Sequence, residues 1–146
     1  MSRDPLKGRE AYPVFRRIVT RWNDNDVYGH INNVAYYSFF DTAVNAHLIE
    51  AGLLDIETSE TIGLVVETGC RYAAPLVYPQ EIEAGIRVAK LGTSSVRYEV
   101  GIFASGSEEA AAEGFFVHVY VDRETRRPAP LPASWRAELE RLAGSA

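Results

Sequence analysis

The segment of the chain with the richest chemistry is the polar run over residues 21–37, which reads R-W-N-D-N-D-V-Y-G-H-I-N-N-V-A-Y-Y. It holds two carboxylates, Asp24 and Asp26, together with the imidazole of His30. A carboxylate can attack a carbonyl carbon or deprotonate a water molecule. The pattern after the run predicts a helix, whose first turn presents unpaired N–H groups that stabilise a developing oxyanion. Together these are the two parts of an acyl-transfer site.

The same residues allow other interpretations of this run. Asp, Asn and Gly are typical of turns and helix caps, which need no catalytic role. Asp24, Asp26 and His30 also have the chemistry of metal ligands, but the run supplies no clear fourth ligand and we expect no metal site. Residue types alone therefore predict a carboxylate near a helix start and leave its function open.

A long helix is predicted over residues 34–51, where apolar side chains recur at four-residue spacing. The members of this stripe are Tyr36, Phe40, Val44 and Leu48. Further aromatic residues widen the stripe and few charges interrupt it, so we expect the helix to be largely buried. Asn32 or Asn33 would cap its N-terminus, and Gly52 would end it.

Strand patterns lie on both sides of this helix. β-branched and aromatic residues predict a first strand over residues 14–22. Alternation predicts four more strands, at 62–75, 80–91, 95–104 and 113–121. After them, a short amphipathic C-terminal helix is predicted over residues 132–143, marked by Trp135, Leu139 and Leu142.

This order of elements predicts an α+β fold in a single domain, residues 1–146, with residues 1–11 as a loose leader. A curved antiparallel sheet of about five strands, wrapped around the long helix, would bury that helix. Because a sheet of this size cannot cover the helix on every side, we also expect pairing with a second subunit.

Composition excludes several classes of protein. The net charge of −5 and the lack of a long basic run argue against binding to nucleic acid or to an anionic membrane surface. No segment approaches the ~20 apolar residues that cross a bilayer. Cys70 is the single cysteine, so no disulfide can form within the chain, as is typical of proteins from the reducing cytoplasm.

The polar run resembles the signature of the 4-hydroxybenzoyl-CoA thioesterase-like branch of the hotdog superfamily, which includes bacterial acyl-CoA thioesterases. The matching residues are Asp26, Gly29, His30, Asn32, Asn33 and Tyr36. A later R-Y-x-x-P motif, formed by Arg71, Tyr72 and Pro75, is similar too. The resemblance extends over about residues 14–122.

The resemblance implies a hotdog fold, dimers that often pair into tetramers, and hydrolysis of an acyl-CoA thioester to the free acid and coenzyme A. It implies that Asp26, rather than Asp24, is the catalytic carboxylate, acting as nucleophile or general base. The backbone N–H of Asn33 resembles the group that polarises the thioester carbonyl in the family. Coenzyme A is then part of the substrate, and no separate cofactor is expected.

Three further residues have more than one interpretation. His30 would orient the substrate, help to transfer a proton, or hold the loop by hydrogen bonds. Tyr36 would form a wall of the pocket or pack in the core. Glu67 is a carboxylate within an apolar strand. It would be the base, or it would support the catalytic group and contact the substrate, or it would face solvent.

A coenzyme A site should offer cations to the phosphates. Lys90, Ser95 and Arg97 lie on strands that resemble those used near the pantetheine and nucleotide in the family, so we predict substrate-binding roles for them. Two other functions stay open. One is a non-catalytic hotdog protein that binds acyl-CoA or fatty acid, and the other is a hotdog hydratase or dehydratase.

Overall fold

The computed structural model describes residues 4–143 and contains, within them, five strands and two α-helices. In chain order the elements are β1 (Val14–Ile18), α1 (Ala35–Glu50), β2 (Thr61–Tyr72), β3 (Ile82–Leu91), β4 (Ser95–Ala104), β5 (Ala112–Asp122) and α2 (Ala133–Arg141). Every predicted strand and both predicted helices are present. No helix among these residues has the length and apolar character that crossing a membrane requires.

The strands form one antiparallel sheet in the order β1-β3-β4-β5-β2. The chain therefore leaves β1 at one edge, passes through the polar loop and α1, and returns to the sheet at the opposite edge with β2. The remaining three strands fill the space between the two edges. This topology places the loop and the start of α1 beside one end of the sheet.

One face of the sheet, called the inner face below, packs against α1. Phe40, Val44 and Leu48 of the helix are fully buried there, as the four-residue stripe predicts. The opposite side of the helix is exposed in the single chain, including Tyr37 and Ile49. The prediction that α1 is buried over most of its circumference is therefore wrong for one chain, because the sheet covers only one side of it.

The outer face of the sheet is partly covered by the N-terminal segment. Tyr12 is buried against Phe103, and the backbone N–H of Lys7 donates to Glu113 Oε2 at 2.7 Å. The Arg9 guanidinium pairs with Glu83 at 2.7 Å. Residues 4–11 thus pack on the sheet instead of forming the loose leader that we expected, because their apolar and charged side chains find partners on the outer face. Residues 1–3 lie outside the described residues.

Strand β2 is an exposed edge. Within residues 4–143, β5 is the only strand that pairs with it. The apolar side chains of Leu64, Val65 and Val66 are 39%, 49% and 62% exposed. The register shifts between Val65 and Glu67, so Val66 forms a bulge in the ladder.

Candidate active site

Asp24 anchors the polar loop. Its side chain is 5% exposed, Oδ2 accepts a hydrogen bond from the Arg21 backbone N–H at 2.7 Å, and Oδ1 lies 3.1 Å from the Arg21 guanidinium. Its carbonyl oxygen accepts from the Asn32 N–H at 2.7 Å. These bonds hold a short 3₁₀ helix, Trp22–Asp24, in the segment that was predicted as the end of β1. Both oxygens of this carboxylate are thus committed to structure.

Asp26 lies in a tight turn that leaves one of its carboxylate oxygens without a hydrogen bond from the described residues. Its N–H donates to the His30 carbonyl at 2.8 Å, and its own carbonyl accepts from the Gly29 N–H at 3.1 Å. Gly29 has φ +83°, a left-handed conformation that favours glycine. Oδ1 of Asp26 accepts from the Tyr28 N–H at 2.9 Å, and no group within residues 4–143 donates to Oδ2. The turn therefore holds one oxygen and leaves the other available.

The start of α1 follows directly. Val34 is the N-cap, and its side chain makes no capping hydrogen bond, so the cap expected from Asn32 or Asn33 lies one or two residues too early. Ahead of the helix, Asn32 Oδ1 accepts from the Val34 N–H at 2.9 Å, and the Asn32 carbonyl accepts from the Ala35 N–H at 2.9 Å. The N–H of Asn33 finds no acceptor among the described residues. It is an unpaired donor at the helix N-terminus, where the helix dipole favours negative charge.

A pocket of about 450 Å³ brings these groups together. It is lined by Asp26, Tyr28, His30, Ile31, Asn33, Tyr36, Tyr72, Ala73, Ala74 and Pro75. Four predicted site residues thus share one cavity. Four of the ten lining residues come from the R-Y-x-x-P motif at the end of β2. The sequence identified that motif as part of the resemblance but assigned no site role to Tyr72, Ala73, Ala74 or Pro75.

Comparison with known proteins assigns the family. Residues 20–139 match the sequence model described as the thioesterase-like superfamily. The chain belongs to this superfamily. Membership confirms the predicted resemblance, the hotdog fold and the predicted class of enzyme, a thioester hydrolase.

Solved structures of several proteins are similar to this member of the thioesterase-like superfamily. The PA5185 protein from Pseudomonas aeruginosa is 56% identical, with 95% of this chain and 97% of that chain covered and a TM-score of 0.93. A thioesterase from Thermus thermophilus, complexed with coenzyme A and Zn, is 31% identical, with 94% and 99% covered and a TM-score of 0.75. A 1,4-dihydroxy-2-naphthoyl-CoA thioesterase from Synechocystis, 16% identical with 86% and 93% covered and a TM-score of 0.77, shares the fold.

His30 and Tyr36 both line the pocket but differ in their surroundings. The His30 imidazole is exposed, and no hydrogen bond joins it to another described residue, so the loop is held by the His30 backbone rather than by its ring. Tyr36 is 2% exposed and lines the pocket, with its ring edge-on to Tyr72 at 5.1 Å between centroids. Burial raises the pKa of Tyr36 to about 12, so it stays neutral at ordinary pH.

Other predicted binding residues lie outside this pocket. Glu67 is exposed on the β2 edge. Lys90 and Arg97 face each other across β3 and β4, away from the end of the sheet where Ile18 meets Ile82 and the polar loop begins. Arg97 stacks over the Phe115 ring at 3.9 Å, on the outer face.

Ser95 lies at the first position of β4, where its carbonyl accepts from the Gly92 N–H at 2.8 Å. The structure therefore does not bring the residues predicted to hold the phosphates into the Asp26 pocket of the same chain. Within residues 4–143, no three or more His, Cys, Asp or Glu side chains, those of Asp24, Asp26 and His30 included, form a group suited to a metal ion.

Proposed function

We propose that this chain hydrolyses an acyl-CoA thioester to the free carboxylic acid and coenzyme A, with Asp26 as the catalytic carboxylate. The observation that carries the proposal is the pairing, in one pocket, of an Asp26 carboxylate oxygen and an Asn33 amide that both lack a hydrogen-bond partner among residues 4–143. The 31% identical thioesterase complexed with coenzyme A supports the choice of carrier.

The Asn33 N–H and the Asp26 carboxylate have different roles in thioester hydrolysis. The Asn33 N–H donates to the thioester carbonyl oxygen and stabilises the negative charge that develops on it. Asp26 either attacks the carbonyl carbon, forming an anhydride that water then opens, or removes a proton from the attacking water. In both routes the carbon–sulfur bond breaks and the coenzyme A thiolate leaves. We assign the protonation of the departing sulfur to His30, which is exposed in the pocket, and water is the only co-substrate.

The acyl group would lie against the pocket wall formed by Tyr36, Tyr72 and Pro75, whose surfaces are largely apolar. Lys90, Ser95 and Arg97 remain our candidates for the coenzyme A phosphates. Because they lie away from the pocket of their own chain, they would serve the pocket of a neighbouring subunit. This assignment requires that the chain forms an oligomer.

The first test compares the two loop carboxylates. Wild-type protein, Asp26→Asn and Asp24→Asn are assayed against a panel of aliphatic and aromatic acyl-CoAs with a thiol-detecting reagent. We expect wild-type release of thiol from at least one substrate and a fall of about 100-fold or more in kcat for Asp26→Asn. Its melting temperature should stay close to that of the wild type, because Asp26 accepts one exposed hydrogen bond.

Asp24→Asn is the matched control, since it removes the same charge two residues away. We expect a lower melting temperature, because Asp24 is buried and paired with Arg21, together with most of the wild-type kcat. Release of no thiol from any acyl-CoA, or full activity in Asp26→Asn, would contradict the proposal. Tight binding of acyl-CoA without turnover would favour a non-catalytic binding protein instead.

A further inference from the structure

The peptide group between Asn33 and Val34 is hydrogen-bonded at both ends. The Tyr72 hydroxyl donates to the Asn33 carbonyl oxygen at 2.7 Å, and the Val34 N–H donates to Asn32 Oδ1 at 2.9 Å. Tyr72 is the last residue of β2, so one of these bonds ties the helix start to the sheet. The plane of this peptide is therefore fixed from two independent directions.

In the preceding peptide, between Asn32 and Asn33, only one of the two polar groups is hydrogen-bonded within the described residues. Its carbonyl accepts from the Ala35 N–H at 2.9 Å, while the Asn33 N–H has no acceptor within residues 4–143. Three of the four polar groups that flank the Asn33 Cα are thus satisfied within the chain. Since peptide groups are planar, fixing the planes on both sides of a Cα fixes the direction of the remaining N–H.

The surroundings of Tyr72 restrain its hydroxyl and keep it protonated, so that it always donates the hydrogen bond. Its ring packs edge-on against Tyr36, with the two planes at 90°, and this contact restrains the direction of the hydroxyl. Tyr72 is 39% exposed, and partial burial raises its pKa above the usual range, with smaller contributions from the neighbouring Cys70 and Tyr37. The hydroxyl therefore keeps its proton throughout the pH range in which a thioesterase would be assayed.

We propose that Tyr72 is a positioning residue for thioester hydrolysis, which aims the Asn33 N–H at the substrate carbonyl by holding the Asn33 carbonyl on the other side of the Cα. The inference rests on the proposed function and adds to it the part of the site that β2 supplies. Tyr72 acts through Asn33 and does not itself exchange a proton with the substrate.

The kinetic test is Tyr72→Phe, which removes the hydroxyl and keeps the ring. We expect kcat to fall about tenfold, because small displacements of an oxyanion donor are costly, with KM changed by less than about twofold. The pH profile should be unaltered, since Tyr72 takes no part in proton transfer. Tyr12→Phe is the control: it removes a buried hydroxyl 3.5 Å from Glu113 on the outer face and should leave kcat unchanged.

A spectroscopic measurement separates positioning from a purely structural role. Acyl-CoA labelled with ¹³C at the thioester carbonyl is bound to Asp26→Asn protein, and the carbonyl stretch is recorded by infrared difference spectroscopy. We expect the hydrogen bond from Asn33 to lower the frequency, and Tyr72→Phe in the same background to shift it back towards the value of free substrate. Asn32→Ala, which removes the other bond to the same peptide, should shift it in the same direction.

The outcomes distinguish the two proposals. A wild-type protein that hydrolyses no thioester would overturn the proposed function. Wild-type hydrolysis with an unchanged kcat in Tyr72→Phe, or with a carbonyl band that neither Tyr72→Phe nor Asn32→Ala moves, would overturn the positioning role alone. A loss of activity in Tyr12→Phe equal to that in Tyr72→Phe would also overturn it, because a hydroxyl remote from the pocket would then have the same effect.

Discussion

His118 is a buried titratable residue that the proposed chemistry does not use. It lies on the inner face, 3% exposed, with Nδ1 3.2 Å from the Tyr120 hydroxyl, which in turn bonds Tyr98 at 2.7 Å. Its Nε2 has no partner within residues 4–143. Burial lowers the pKa of His118 from 6.5 to about 4, so the folded protein holds the ring neutral.

This environment predicts a loss of stability in mild acid. Below about pH 6.5 the unfolded chain binds a proton at His118 that the folded chain does not bind, so the free energy of unfolding falls until the pH reaches about 4. The difference between the two pKa values corresponds to about 3 kcal/mol at most. Urea unfolding of wild type and His118→Phe from pH 7 to pH 4 measures it, because carboxylates that titrate over this range contribute to both proteins.

We expect the free energy of unfolding of the wild type to decline more steeply with falling pH than that of His118→Phe. The Tyr98–Tyr120 hydrogen bond remains in the variant, so its core keeps one satisfied polar pair. Parallel pH dependence in the two proteins would contradict a buried, neutral His118.

The site residues show what sequence could and could not predict at this scale. Asp26, His30 and Asn33 are close in sequence, and the pocket contains all three. Local chemistry does not distinguish Asp26 from Asp24, whereas the resemblance favours Asp26. The hydrogen bonds of Asp24 commit both of its carboxylate oxygens to the loop, which supports the proposed choice of Asp26. Tyr72 was missed as a site residue because its bond to Asn33 joins positions 39 residues apart, which no local pattern reveals.

At the scale of elements, helix α1 depends on a glycine in the sheet beneath it. A Cβ added to Gly114 of β5 would lie 2.1 Å from the Phe40 ring and 3.0 Å from the Gly69 carbonyl oxygen. Phe40 is 1% exposed, so its ring has little room to move. The missing side chain at Gly114 is what allows the helix to approach the sheet.

Gly114→Ala should therefore destabilise the protein by about 2 kcal/mol or more, since overpacking of a filled core forces side chains and backbone to shift. Urea unfolding measures the change. Gly8→Ala is the control, because the atoms nearest to its Cβ would be those of the Glu10 carboxylate, the end of a flexible side chain. Phe40→Leu added to Gly114→Ala should recover part of the lost stability. An equal effect of Gly8→Ala and Gly114→Ala would refute this account.

Periodicity predicted the elements better than their ends. Strand β4 has the predicted bounds because its alternation is complete and turns flank it. Strand β1 stops at Ile18 instead of residue 22, since Ile18 pairs with Ile82, the first residue of β3, and the chain beyond it turns into the 3₁₀ helix Trp22–Asp24. Strand β2 stops at Tyr72 instead of Pro75, since the N–H groups of Ala73 and Ala74 both turn to the Ala111 carbonyl. Such competing hydrogen bonds are not visible in a hydrophobic pattern.

At the scale of the whole molecule, the described chain leaves one edge of its sheet and one side of α1 uncovered. A groove of about 320 Å³ runs between them, lined on the helix side by Tyr37 and Phe40 and on the strand side by Val65 and Thr68. An exposed apolar edge strand with unpaired backbone groups is a template for pairing with another chain. A second copy of this chain, added at β2, would satisfy the edge and cover the apolar groove.

We therefore predict a dimer formed by antiparallel pairing of β2 with its copy about a two-fold axis. Val66 lies near the middle of the strand, so Val66→Lys would bring two like charges close together across the axis and weaken the dimer. Sedimentation velocity over a range of concentrations should show a dimer, or a pair of dimers, for the wild type and a monomer for Val66→Lys. Val19→Lys, at an 83% exposed valine beyond the opposite edge, should assemble like the wild type. A monomeric wild type, or a Val66→Lys protein that assembles normally, would contradict pairing at β2. If Lys90, Ser95 and Arg97 bind coenzyme A at the pocket of a neighbouring subunit, Val66→Lys should also raise the KM for acyl-CoA.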